Sequence, residues 1–474
     1  MARKWWTLVA VCTATFMLLL DITIVNVALP PIQRALTASF SQLQWVVDAY
    51  ALALATCVLT AGALADLFGR KRLFLLGIVL FTAASAACGA AFDPLFLIVA
   101  RGVQGIGGAM MFATALALLS QEFHGKERGT AFGLWGAVIG AAVAIGPLAG
   151  GMLTTWISWR WIFFVNIPIG FAAVALGLRQ VHESKDPEHS RLDPVGLVTL
   201  TAGLLCLILA LIEGNGHGWS SAFIVALLAA AAVVLTAFLV SQARDRNTMV
   251  DLALFRRPAF VGAQVTAFAI ASSMFSMFLY LTLYMQDVLR LSALETGVRF
   301  LPLSALAFFA APLAGRLSSR VPIRALIGAG LALNAIAMWS MSRVTTGSHW
   351  TVLLPGFLIG GIGIGLVNAP LATTAVSTVR VERAGMASGI NNTFRQIGIA
   401  TGIAALGAIF SAKTGNARTP AAFVHGLHSI LLVGACVAAV GAVVAAALIR
   451  RRDFVASGPQ QAAAATPASR AASG

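Results

Sequence analysis

Fourteen apolar runs, each about 20 residues long and separated by charged or turn residues, leave this chain one class of fold. A run of that length crosses the hydrocarbon core of a bilayer as a single helix, because in lipid every backbone N–H and C=O must be satisfied within the segment. The runs fall at 5–28, 44–65, 73–92, 95–119, 130–154, 161–179, 195–212, 219–241, 259–285, 296–315, 322–342, 350–372, 388–411 and 427–449. Only 10% of the 474 residues are charged and 59% are hydrophobic, far from the balance of a soluble domain. The expectation is an all-α polytopic membrane protein. The first run follows Arg3 and Lys4 as a secretory leader would, yet it is long and lacks a small-residue cleavage pattern, so it reads as a retained span.

The distribution of lysine and arginine tests this count, since an error of one span would scramble their alternation between loops. With the N-terminus in the cytoplasm, 22 of the 32 basic residues fall in even-numbered connections or at the termini. Only seven fall in odd-numbered ones. Both termini are therefore expected in the cytoplasm. The net charge of +15 is scattered as short clusters between apolar runs, which argues for topology and against a nucleic-acid surface. Long polar connections at 180–194 and 242–258 divide the chain into a six-span half (1–179), two further spans with their loops (180–258) and a second six-span half (259–452). Residues 453–474 are Ala, Pro, Ser and Gly with little to bury, and are expected to be a disordered cytoplasmic tail. The connection GALADLFGRKR after the second span and AGRLSSRVPIR after the tenth are weakly alike, as two related halves require. Five cysteines, all inside apolar runs without metal-ligand spacing, read as small core residues.

Charge at membrane depth marks candidate function, because an ionised group there needs a partner, water or a proton. Asp21 interrupts the first run and Arg101 the fourth. By helical rise each lies roughly 10 Å from the outer end of its span, and Asp48 lies about 6 Å inside the second. The three are expected to form an outer-half polar cluster facing a central cavity, with interfacial snorkelling an equal reading for Asp48. A carboxyl that desolvation neutralises and a nearby cation ionises can hold either a proton or a cationic substrate, and such competition is antiport. In GALADLFGRKR, Gly62, Asp66, Gly69 and Arg70 form a tight turn in which Asp66 caps a helix end or pairs with Arg70. Pro147, among Gly146, Gly150 and Gly151, permits a kink and close helix approach. Arg395, with Asn334, Asn368, Asn391, Asn392 and Gln396, either lines a cavity, joins helices or, for Arg395, sits at the cytoplasmic end of span thirteen.

These strings together resemble the major facilitator superfamily in its fourteen-span drug:proton antiporter branch. The resemblance rests on LDITIVNVALPPI in span one, GALADLFGRKR after span two, RGVQGIGGA in span four, AIGPLAGG in span five, WRWIFFVNIPIG from Trp159 and GINNTFRQIGIATG from Gly389. It implies two six-helix bundles plus two central helices, rocking to alternate access. It further implies proton coupling by Asp21 and Arg101, a gate in which Asp66, Gly69 and Arg70 hold the halves together on the cytoplasmic side, and exporter character for the span-five motif. The expected activity is export of hydrophobic, cationic or amphipathic drugs in exchange for protons, with a dedicated metabolite exporter or a proton-coupled importer as alternatives. No nucleotide-binding string occurs, and the histidines lie in loops or near span ends, so neither a cofactor, an ATPase subunit, nor enzymatic chemistry is expected. High Ala and Arg with five Lys suggests a high-GC bacterial source, hence a monomer in the cytoplasmic membrane whose partners are substrate, protons and lipid.

Overall fold

The computed structural model describes residues 3–123, 125–184, 193–244, 250–318, 320–379, 383–414 and 419–450. The expected tail from Asp453 lies outside them. The described residues are helical throughout, without strands. Fourteen transmembrane elements follow in order: α1 (Arg3–Leu36), α2 (Phe40–Phe68), α3 (Arg70–Gly89), α4 (Pro94–Glu122), α5 (Gly125–Trp156), α6 (Trp161–Gln180), α7 (Pro194–His217), α8 (Ala222–Arg244), α9 (Pro258–Val288), α10 (Ala293–Leu317), α11 (Ile323–Met341), α12 (Leu354–Ser377), α13 (Ala384–Thr414) and α14 (Pro420–Leu448). Thirteen hold a stretch long and apolar enough to cross a bilayer among the described residues, and the remaining expected span, 130–154, lies within the continuous helix α5.

Helix starts follow local chemistry. Ser39 with Gln42 and Ser292 with Glu295 form reciprocal capping boxes. Asp93, Asp193 and Thr419 each cap a helix whose first residue is proline, which lacks the N–H that would otherwise be orphaned there. α9 departs from α-geometry in two π segments, Ala271–Phe275 and Tyr284–Val288. α1 departs from expectation: it runs past the predicted end at 28, through Pro30 and Pro31, to Leu36, so Asp21 sits near the middle of a 34-residue helix.

Packing separates the chain into two bundles, α1–α6 and α9–α14, each with its own buried core. Two seams join them. α5 lies along α10, and α2 lies along α13, with α4 and α12 completing the interface from either side. α7 packs against both α2 and α13, and α8 packs on α7 with most of its surface facing outward. The two extra helices therefore flank the α2–α13 seam, a placement that hydropathy alone does not contain. All five cysteines are free; Cys88 is buried, whereas Cys436 is exposed on the outer surface of α14, against the expectation that all five fill the core.

Candidate functional site

Asp21 and Arg101 meet. Both are fully buried, and the Arg101 guanidinium donates through Nη1 to Asp21 Oδ2. The pair is built from five helices. Arg101 also donates through Nε to the Val46 carbonyl on α2 (3.0 Å) and through Nη1 to Gln104 Oε1, one turn along α4 (2.7 Å). Its carbon Cζ lies 4.3 Å from the centroid of the Tyr50 ring, a cation–π contact in a dry setting. Asp21 Oδ1 accepts from Gln104 Nε2 (2.9 Å) and from Asn166 Nδ2 on α6 (3.1 Å). Asn166 Nδ2 also donates to Ser85 Oγ on α3 (2.9 Å), and Ser85 in turn to the Phe163 carbonyl (2.9 Å). The Asn166 amide oxygen is buried without a partner.

Two expectations change here. The pair does not face a central cavity: it is sealed inside the first bundle, because helices α2, α3, α4 and α6 close around α1 at this level. Asp48 does not join it. Asp48 is half-buried on α2 and makes no hydrogen bond to Asp21 or Arg101. In its place stand Gln104, Asn166 and Ser85, neutral polar residues spaced like ordinary helix-packing residues. The one available signal was that each falls inside an apolar run, where a polar group needs a partner.

The second constellation closes the end of the bundle that carries the basic loops. Asp66 Oδ1 accepts from Arg70 Nε (2.9 Å) and Nη2 (2.8 Å), and Asp66 Oδ2 accepts from the backbone N–H of Met386 at the start of α13 (2.8 Å). The carboxylate thus ties the first half to a helix N-terminus of the second, where negative charge is favoured. Gly69 has φ of 112°, a conformation that L side chains rarely adopt. The neighbouring Glu183 carboxylate accepts from the Lys71 (3.0 Å) and Arg72 (3.3 Å) N–H groups at the start of α3. At Gly62 an added Cβ would lie 2.7 Å from the Gly385 carbonyl oxygen. The other seam is as close: a Cβ on Gly129 would collide with the Gly315 carbonyl, and one on Gly133 would lie 2.7 Å from Pro312 Cα.

The span-five motif serves the first bundle. A Cβ on Gly146 would run into the Thr23 side chain, two residues from Asp21, whereas one on Gly151 would meet nothing closer than Leu294 Cβ at 3.9 Å. Gly150 is buried, and the Pro147 side chain lies outside the described residues. Between the halves, a small void of about 20 Å³, room for about one water, is lined by Ile139 and Gly140 of α5, Phe278 of α9, Leu303, Ser304 and Ala307 of α10, and Ile364 and Asn368 of α12.

The chain belongs to the Major Facilitator Superfamily, a family of transporters, whose pattern it matches over residues 11–403. It is 38% identical over 407 residues to the multidrug resistance protein Stp of Mycobacterium tuberculosis, covering 86% of this chain and 76% of that one. It is 36% identical over 435 residues to the puromycin resistance protein pur8 of Streptomyces alboniger (90% and 86% covered). It is 34% identical over 415 residues to the tetracenomycin C resistance and export protein of Streptomyces glaucescens (87% and 77% covered). Among solved structures, the human organic anion transporter MFSD10 superposes with a TM-score of 0.67 at 12% identity, covering 94% of this chain and 100% of that one, a likeness of fold.

Proposed function

We propose that this major facilitator exports hydrophobic, amphipathic drug-like compounds from a bacterial cytoplasm in exchange for protons, with Asp21 as the proton-binding group. The observation that carries the proposal is the sealed Asp21–Arg101 pair. An aspartate whose two oxygens accept from Arg101, Gln104 and Asn166 is satisfied only while ionised. A proton on it cancels the charge that balances Arg101 and turns an acceptor into a donor, so the network must rearrange. The unpaired Asn166 amide oxygen is an acceptor within the network for the new O–H once that amide turns over. Since the network spans α1, α2, α3, α4 and α6, its rearrangement changes how the first bundle packs.

The basic end is assigned to the cytoplasm by the charge of its loops. The Asp66–Met386 tie and the glycine contacts along both seams then describe a state closed to the cytoplasm, and opening that end requires parting them. The small void at the junction of the halves marks where a substrate site would widen when the halves part. The relatives named for drug resistance and antibiotic export support the substrate class and the outward direction. The test is dye and drug movement in inside-out vesicles holding the purified full chain. Uptake of a substrate against its gradient is expected when the vesicle interior is acid, and collapse on addition of a protonophore. Uptake that ignores the proton gradient overturns the proposal.

A further inference from the structure

Arg395 is a buried cation with no anion of its own among the described residues. It lies eleven residues into α13, roughly 16 Å from that helix's start, well inside the bundle and not at the cytoplasmic end where the sequence left room for it. Its guanidinium, with five N–H donors, makes a single hydrogen bond among the described residues, from Nη1 to Asn368 Oδ1 (3.3 Å), and its Nε is buried and unpaired. Of the other buried basic residues near the seams, Arg70 is matched by Asp66 and Arg101 by Asp21, while Arg128, beside Gly129, also has a buried unpaired Nε but packs over the Phe132 ring and does not line the void between the halves. From residue 259 to residue 449 the acids are Asp287 and Glu295, which flank an outer loop, and Glu382, which precedes α13. None stands in the middle of a helix. Asn368, which takes the one bond, lines the small void between the halves, whose other walls are mostly apolar and carry no carboxylate.

An unbalanced buried charge is costly, and a carboxylate brought to it away from water is held by charge-assisted hydrogen bonds. Resting on the exporter reading above, we infer that Arg395, with Asn368, is the polar half of the substrate site, and that the substrates it selects are amphipathic anions: an acidic oxygen group on an apolar body. This replaces the expected preference for cations, which would need an acid facing the void. Asp21, the acid that expectation relied on, is sealed in the first bundle.

Binding to purified full-length protein in detergent, measured by fluorescence anisotropy, tests the inference without requiring transport. The probes are fluorescein and rhodamine 123, which share a xanthene scaffold and differ in charge. Fluorescein is expected to bind; Arg395→Gln should weaken it at least tenfold and Arg395→Lys by threefold or less, with rhodamine 123 binding unchanged by either. Asn368→Asp supplies an internal carboxylate, so it should abolish fluorescein binding while raising the melting temperature, which shows that the loss is not misfolding. Three outcomes overturn the inference: no fluorescein binding to the wild type, equal binding by Arg395→Gln, or equal losses for both dyes. Charge-selective binding without proton-driven movement in vesicles would refute the exporter reading and leave the anion site standing.

Discussion

Asp66→Asn separates a bond that holds the two halves together from bonds that hold one half in shape. Asn keeps one acceptor oxygen. Facing, among the described residues, two N–H donors from Arg70 and one from Met386, the amide turns its oxygen to Arg70 and its NH2 to the Met386 N–H, where two donors then oppose each other. The weakened Arg70 contact belongs to the first half and is carried through the transport cycle, so it lowers overall stability without favouring either state. On the alternating-access reading, the Met386 bond exists only while the basic end is closed. A hydrogen bond to a charged group is worth about 1.5–3 kcal/mol, so the closed-to-open ratio should fall by roughly 10- to 150-fold. Spin labels at Phe68→Cys and Arg320→Cys, both exposed near the basic end, in a background stripped of the native cysteines, report that ratio by double electron–electron resonance. The account predicts a new, longer distance component in Asp66→Asn. A melting temperature that drops while the distance distribution stays unchanged would refute it and leave Asp66 a residue of the first bundle alone.

Glycine spacing along the other seam predicts a matched pair. Gly129→Ala forces a methyl into the Gly315 carbonyl and should abolish vesicle transport with normal membrane insertion, whereas Gly151→Ala, with nothing nearer than 3.9 Å, should retain it. Gln104→Leu removes a donor to Asp21 and an acceptor from Arg101 while keeping side-chain bulk; transport should fall at least tenfold and thermal stability by about 1–3 kcal/mol, read from dye-binding melts. Glu183→Gln weakens a helix cap by about 0.5–2 kcal/mol, so the melting temperature should drop slightly with transport close to wild type.

The spans and their order were legible because a bilayer demands about 20 apolar residues per crossing, a signal that survives errors of several residues at each end. Asp21 and Arg101 were legible for a related reason: ionised side chains inside apolar runs stand out against their surroundings. What surrounds them was not. Gln104, Asn166 and Ser85 are common residues whose meaning depends on which helices lie side by side, and that is a tertiary fact. For Asp48 the sequence could not choose between the cluster and the interface, since depth along a helix says nothing about which face a residue occupies: Val46 turns its carbonyl to Arg101, while Asp48, two residues on, makes no bond to the pair. For Arg395 the sequence leaves a cavity, a helix contact and the cytoplasmic end of span thirteen all open; the helix start at Ala384, four residues before the expected 388, carries the arginine into the interior and removes the last of these.

The central claim, that a proton on Asp21 drives transport, is tested most directly by separating proton-driven accumulation from simple exchange. Proteoliposomes holding wild type or Asp21→Asn are loaded with unlabelled substrate, and entry of labelled substrate is followed with and without an imposed proton gradient. The account predicts that wild type does both, and that Asp21→Asn, fixed in a neutral form, still exchanges label but no longer accumulates it against a gradient. Proton-driven accumulation by Asp21→Asn at the wild-type level would contradict it.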